Sequence, residues 1–500
     1  MTDATYEEPS YGNWRKPRSA GIGKFSMLET LLIIGGLLLV VVLFRLAGPL
    51  VGAAALVLLA GLFFIMTITD KHGKSRISKM NAKRAFRSAA RQRLNILRSG
   101  PAGLTPSGSY QLPGLLARSE LHEFEDSFER PFAMLHMPTK DHASIVISVE
   151  PTGLALDDRE NIDQYVANWG GWLSGLSKAG DVVAASVTVE TAPDYGVRLA
   201  HEIDLSMHPS ASAAAREMME ETKATFPQRT ATTRAWVSIT FRTWRPGAAR
   251  VRDPQDVGTD LAARMGKFTE HLEVCGAGDA RPVGAQELCE IVRTAYDPRM
   301  GEHIASAHIQ GSTPRLSWDQ IGPTAHNAGW EWYRHDSGLS KSWTMSAAPR
   351  GTVFSNVLEN LLAPSPDVDR KRVTLVYRPV STARAMDVAE KDVNKASSRA
   401  TSTKKPSFQA AAEFSAAVQS AKEVAKDAAL VNFGMIVTAT ILNEENALAA
   451  SYEIEDLAGG AQILLRPAYG AQDATFAAGL PLGVVLPDYI AIPQAIREAL

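Results

Sequence analysis

Glycine, lysine and small hydroxyl side chains lie close together near the start of the chain, in WRKPRSAGIGKFS at residues 14–26. That mixture cradles a phosphate only at one spacing: Gly, four residues, then Gly-Lys-Ser/Thr, so that amides wrap the phosphates, the lysine reaches them and the hydroxyl meets magnesium. Gly21, Gly23 and Lys24 have another spacing, and Phe25 stands where the hydroxyl belongs. The stretch is not a phosphate loop. His-Glu-x-x-His and Gly-x-Ser-x-Gly are both absent. Ser402 and Lys405 match a Ser-x-x-Lys spacing, but inside a polar low-complexity stretch where the lysine stays solvated. His201-Glu202 lacks the second histidine of a zinc helix and reads as a surface pair in a strand. The acidic run ELHEFEDSFER at 120–130 offers carboxylate oxygens to a metal, yet so dense a cluster reads as a solvated face. No catalytic, cofactor-binding or metal-binding residue is expected, and the chain reads as a non-enzyme.

Cys275 and Cys289 are the only cysteines, too few for a four-cysteine zinc site or a disulfide scaffold, which suits a reducing setting. Trp169, Trp172, Trp236, Trp244, Trp318, Trp330, Trp332 and Trp343 have few Lys/Arg interleaved with them, so they read as core rather than as base-stacking platforms.

The elements that would carry function are therefore sought in the distribution of charge. The net charge is −2, but residues 1–98 hold 15 Lys/Arg against 5 Asp/Glu, while 99–500 hold 37 against 49. The acidic bulk argues against direct nucleic-acid binding, which needs clustered Lys/Arg. The basic part brackets two uncharged runs, Thr30–Phe44 and Leu46–Thr69, separated by Arg45, Gly48 and Pro49. These predict a transmembrane helical hairpin over 27–69. Arg15, Lys16, Arg18 and Lys24 precede it, and Lys71, Lys74, Arg76, Lys79, Lys83, Arg84 and Arg87 follow it. By the positive-inside rule both termini are expected in the cytoplasm of a multi-pass plasma-membrane protein, with these residues as candidate contacts to anionic lipid. Ala82, Phe86, Ala90, Leu94 and Leu97 recur at helical spacing, so 70–98 is expected to be a basic amphipathic juxtamembrane helix.

A Gly/Pro/Ser-rich linker at 99–114 precedes the body. Runs rich in β-branched and aromatic residues (132–137, 143–151, 182–190, 234–244) alternate with helical patterns at about 157–179, 209–224, 256–275 and 284–298. This predicts a mixed α/β (α+β) cytosolic body of two subdomains, 115–325 and 326–500, behind the basic tail at 1–26. In the second, strands are expected around WEWYRHD and KSWTMSAAPR, then a helix carrying Val353, Val357 and Leu361, then a strand at 372–380. A polar loop at 395–407, a helix capped by Ser407, and NFGMIVTATI as a strand follow; the last elements are a helix near 443–456 and a strand near 460–467. No internal repeat of 20–50 residues is evident.

Several stretches then agree with one family. YGNWRKPRSAGIGKF, the apolar hairpin, RVTLVYRPVSTARAMDVAEKDVNKA, ALVNFGMIVTATI and ATFAAGLPLGVVLP resemble membrane proteins of actinobacterial conjugative elements, in which a two-span type IV secretion subunit is fused to the amino-terminal, non-motor domain of TraC/TrbE/CagE-type conjugation ATPases. In those ATPases a Leu-Pro stretch like Leu480-Pro481-Leu482-Gly483 comes shortly before the nucleotide-binding domain. The resemblance implies a non-catalytic inner-membrane scaffold of a conjugative DNA-transfer apparatus. Its implied partners are a separate motor ATPase, docked through about Trp330–Leu500, and other secretion-channel membrane subunits, with homo-oligomerisation open. It carries over no catalytic residue. A membrane-core component of type VII secretion has the same layout and is the alternative.

Overall fold

The structure, a computed structural model, describes residues 11–12, 14, 27–67, 70, 72, 76–101, 103, 105, 108–151, 153, 157–225, 231–244, 252–349, 351–401, 408–426 and 428–490; side chains at 27–32, 62–67, 76–78 and 409 fall outside that description. Helices α1 (Met27–Leu46) and α2 (Pro49–Thr67) pack as a hairpin. Gly48 between them has φ +93°, and Pro49 takes the first helical position, where no N–H partner is needed. A Cβ on Gly36 would lie 2.5 Å from Leu59 Cδ1, so glycine sets how closely the two helices approach.

Among the described residues no helix is long and apolar enough to cross a membrane. The expectations of a transmembrane hairpin and of a multi-pass plasma-membrane protein with both termini cytoplasmic are corrected accordingly. The next helix, α3 (Arg76–Arg91), leads into a short strand, β1 (Ile96–Arg98).

The body is a mixture of helices with one 13-stranded sheet whose pairings are all antiparallel. Its first part runs β2 (Glu120–Glu125), β3 (Pro131–Met137), β4 (His142–Glu150), α4 (Arg159–Lys178), β5 (Val182–Pro193), a helix pair α5 (Val197–Ser206) and α6 (Ala213–Thr225), β6 (Ala231–Arg242), α7 (Pro254–Leu272) and β7 (Asp279–Pro282). Two helices, α8 (Ala285–Tyr296) and α9 (Met300–Ile309), lead onward. The second part runs β8 (Ala325–Ala328), β9 (Tyr333–His335), β10 (Gly338–Ala347), the single turn α10 (Glu359–Leu362), β11 (Arg370–Pro379), a helix pair α11 (Thr382–Thr401) and α12 (Phe408–Ala425), β12 (Val431–Ile441), α13 (Ala447–Gly460) and β13 (Leu464–Pro467). The short helix α14 (Gln472–Ala478) follows.

These two parts have the same topology. Each orders its strands first-second-third-fifth-fourth, as β2-β3-β4-β6-β5 and β8-β9-β10-β12-β11, and each adds a short last strand onto its third. Register extends the likeness to single residues. Ser144 and Thr240 face each other as Ser340 and Thr440 do, and Ser148 faces Arg281 as Thr344 faces Arg466. Pro282 and Pro467 then stand at equivalent positions, and the next residues, Val283 and Ala468, donate to the equivalent carbonyls of Val146 and Ser342. The units join through β5 and β11, antiparallel, about a pseudo-two-fold axis between Thr188 and Thr374, whose hydroxyls are 3.1 Å apart. Because β5 and β11 run oppositely, the two helix pairs leave the sheet at opposite ends.

One sheet face is apolar and carries α4, α7 and α13, while α8 and α14 pack on the other. In the first unit Ile145, Ile147, Val237 and Ile239 pack with Val257, Leu261 and Met265 of α7; in the second Trp343, Val437 and Ala439 pack with Ala450 and Ile454 of α13. Asp253 caps α7 by accepting from Gln255 N, and Pro254 fills the first helical position. The opposite face is lined by buried Ser144, Ser186, Thr188, Ser238, Thr240, Ser340, Ser342, Thr374, Thr438 and Thr440.

Local corrections follow from packing. Residues 395–401, expected as loop, continue α11, because Ala385, Ala389 and Ala396 bury their small faces against α12. The helix expected from Val353 to Leu361 shrinks to α10. His201 and Glu202 lie on helix α5 rather than in a strand.

Candidate functional site

The residues expected to carry function as a basic surface are only partly within view. Arg15, Lys16, Arg18, Lys24, Lys71 and Lys74 lie outside the described residues, as does the side chain of Arg76 on α3. Lys79, Lys83, Arg84 and Arg87 are exposed on α3. The helix does not stand alone. Phe86 meets Trp330 edge-on with centroids 5.5 Å apart, Trp330 stacks on Tyr469, and Lys79 Nζ lies 5.5 Å from the Tyr469 ring centre. Gly470 has φ +71°, and a Cβ there would strike Trp330 at 2.7 Å. The helix is thus docked on the second unit, with its cations outward.

The polar sheet face holds the most strongly built charge cluster. Glu190 on β5 is opposite Arg372 on β11. Arg372 Nε and Nη2 donate to Glu190 Oε2 at 2.9 and 2.7 Å, and Arg370 Nη2 donates to Oε1 at 2.6 Å. Arg370 Nη1 also donates to the Tyr195 hydroxyl at 3.1 Å, which donates to Pro298 O. All three charged side chains are buried. Burial alone would raise the Glu190 pKa, but the two guanidiniums prevail and hold it at about 2. The cluster pairs β5 with β11 and so clamps the seam between the units.

Across this face runs a strap, residues 472–486. Gln472 pins its start by accepting from Ser342 N at 2.7 Å and donating to Ser342 O at 3.2 Å. Thr374 Oγ1 then donates to Gly479 O, Ser144 Oγ to Leu482 O and Thr240 Oγ1 to Gly483 O, at 2.7 to 2.8 Å. Sheet hydroxyls of both units thereby satisfy a chain segment that has no strand partner. Gly483 has φ +66°, and a Cβ there would lie 2.3 Å from Thr240 Oγ1, so only glycine fits. The strap emerges beside the corner between β3 and β4, where Lys140 Nζ lies 5.1 Å from the Tyr489 ring centre and His142 Nε2 is 3.7 Å from Asp488 Oδ2.

The acidic run at 120–130 divides in two. Asp126 is buried in a turn, accepting from Phe128 N, Arg130 N and Arg130 Nε; burial opposes its ionisation, but these donors hold its pKa below the usual value. Glu120 and His122 instead meet His136 across the β2–β3 hairpin. Among the described residues these three form the one group of metal-ligating side chains whose donor atoms converge, all within 4.8 Å. The sequence reading missed His136 because only strand register places it opposite Glu120.

The cysteines are free, and burial raises both thiol pKa values, that of Cys289 to about 12, so neither is an activated thiolate. Trp172, Trp236 and Trp343 are buried core residues.

No curated protein matches the chain. A family described as Domain of unknown function (DUF8461) matches residues 18–77, the part that contains α1 and α2, and its description says nothing of secretion or conjugation.

Proposed function

We propose that this chain is a non-catalytic scaffold that docks a separate motor ATPase of the kind used in conjugative DNA transfer. The observation that supports the reading is the placement of the three stretches that resemble the non-motor domain of conjugation ATPases. RVTLVYRPV is β11, ALVNFGMIVTATI contains β12, and ATFAAGLPLGVVLP is α14 with the strap that crosses both units. They lie side by side next to the seam between the units. In the fused relatives the Leu-Pro stretch leads toward the nucleotide-binding domain; here the equivalent segment surfaces beside Lys140 and Asp488 on the first unit. The motor then meets that corner as well as the second unit.

Copurification of the full-length chain with the motor ATPase encoded in its gene neighbourhood tests the reading. Lys140→Glu combined with Asp488→Lys should weaken capture at least about tenfold, the consequence of reversing charges at an interface rim. Glu217→Lys, on exposed α6, should leave it unchanged. Failure of the unmodified chain to retain the motor, or equal capture by the corner variant, refutes the proposal.

A further inference from the structure

The structure assigns a divalent transition-metal site of the zinc class to Glu120, His122 and His136. Strand geometry brings the donors together. Glu120 is directly opposite His136 in the β2–β3 ladder, and His122, two residues along, presents its side chain on the same face. Glu120 Oε2 lies 3.4 Å from His136 Nδ1 and 3.7 Å from His122 Nε2. Four ligands around zinc at about 2.0 to 2.1 Å stand about 3.4 Å from one another, so both separations from the carboxylate are close to those of a tetrahedron's corners, and the two imidazoles lie within 4.8 Å of each other. As hydrogen bonds the same distances are too long to be strong.

A second observation points to a missing ligand. His122 Nε2 is buried and has no hydrogen-bond partner among the described residues. A buried ring nitrogen without a partner is costly, and a cation between it and the carboxylate removes that cost. The scaffold holds the donors still: Phe124 stacks on Phe132 at 5.7 Å next to the site, and Phe124 also packs tightly on Gly258 of α7. Two imidazoles with one carboxylate select zinc, cobalt or nickel over calcium and magnesium, which take oxygen donors. Three protein ligands leave a fourth position, on the side where Glu120 is exposed, for water or another donor. Since β2 is the terminal strand of the sheet, the ion would also tie down its outer edge.

The test uses full-length protein without a histidine tag, stripped by a chelator and titrated with Co²⁺, whose visible absorption reports tetrahedral ligation, followed by Zn²⁺ competition. One equivalent per chain is expected. His122→Ala, Glu120→Ala and His136→Ala should each weaken Zn²⁺ binding by at least about tenfold. His303→Ala, on exposed α9, should not. His136 is buried, so the Glu120 and His122 variants decide the matter if the His136 variant fails to fold. Absence of a Co²⁺ spectrum in the unmodified chain, or unchanged affinity in a Glu120→Ala/His122→Ala double variant, overturns the assignment.

Discussion

Replacing Glu190 by glutamine removes one charge from a buried cluster of three and leaves Arg370 and Arg372 facing a neutral amide. The carboxyl pKa falls from 4.5 to about 2 on folding, against the opposing effect of burial, which corresponds to about 3 kcal/mol of stability at neutral pH. Breaking a buried ion pair by removing one partner costs about 3 to 5 kcal/mol, because the remaining charge stays desolvated. Arg370 Nε and Arg372 Nη1 are already buried without partners, so the cluster has no spare acceptor to compensate. Urea unfolding at pH 7, followed by tryptophan fluorescence, should show Glu190→Gln less stable by about 3 to 5 kcal/mol with an unchanged slope. Trp172 and Trp236 report on the first unit and Trp343 on the second, so both should respond to loss of the clamp. A triple replacement, Glu190→Leu with Arg370→Met and Arg372→Met, should recover much of the loss, since no charge then remains buried. In the unmodified chain the contribution of Glu190 is fully present above pH 4.5 and is lost as pH falls toward 2. A Glu190→Gln variant within about 1 kcal/mol of the unmodified chain would refute the view that the cluster clamps the seam.

Gly258→Ala places a Cβ 2.1 Å from the Phe124 ring and should destabilise by about 1 to 3 kcal/mol in the same unfolding assay, whereas Gly175→Ala, with open space around it on α4, should not. His335 is fully buried, donating from Nδ1 to Tyr296 O and accepting at Nε2 from Ser340. Burial lowers its pKa from 6.5 to about 4, so the unfolded chain takes up a proton first; stability should fall as pH drops from 6.5 to 4, with a shallower dependence in His335→Gln.

The longer strands of both units were legible because β-branched and aromatic residues concentrate in them, as in VVAASVTVE and RVTLVYRPV, whereas the acidic β2 and the short β7 and β8 were not. Their duplication was not. Equivalent positions share character more often than identity, as at Ser238 and Thr438, and the connection filled by the 20-residue α4 in one unit holds only a four-residue helix in the other. Helix α11 was cut short in the reading because Ser397, Ser398 and Thr401 look like loop residues, yet the hydroxyls of Ser398 and Thr401 bond back to carbonyls of their own helix. Glu190 and its arginines are 180 and 182 residues apart in sequence, and nothing local marks them as partners. The acidic run concealed His122 in the same way, since a solvated face and a ligand set differ only in what the neighbouring strand supplies, here His136.

The pseudo-two-fold junction has a consequence for how such a protein can diversify. Cut apart, each unit would present a bare central strand, β5 or β11, and bare strands seek a copy of themselves. Two separate copies pairing this way would have to repeat every feature on both sides of the axis. Joined in one chain, the halves meet at the high effective concentration of a tether and need not match. The ladder pair Glu190–Arg372 has as its symmetry mate Ser186–Val376, so the charged clamp occurs on one side of the axis alone. Fusion thus turns a symmetric dimer into a directional object, whose two ends can be addressed by different partners.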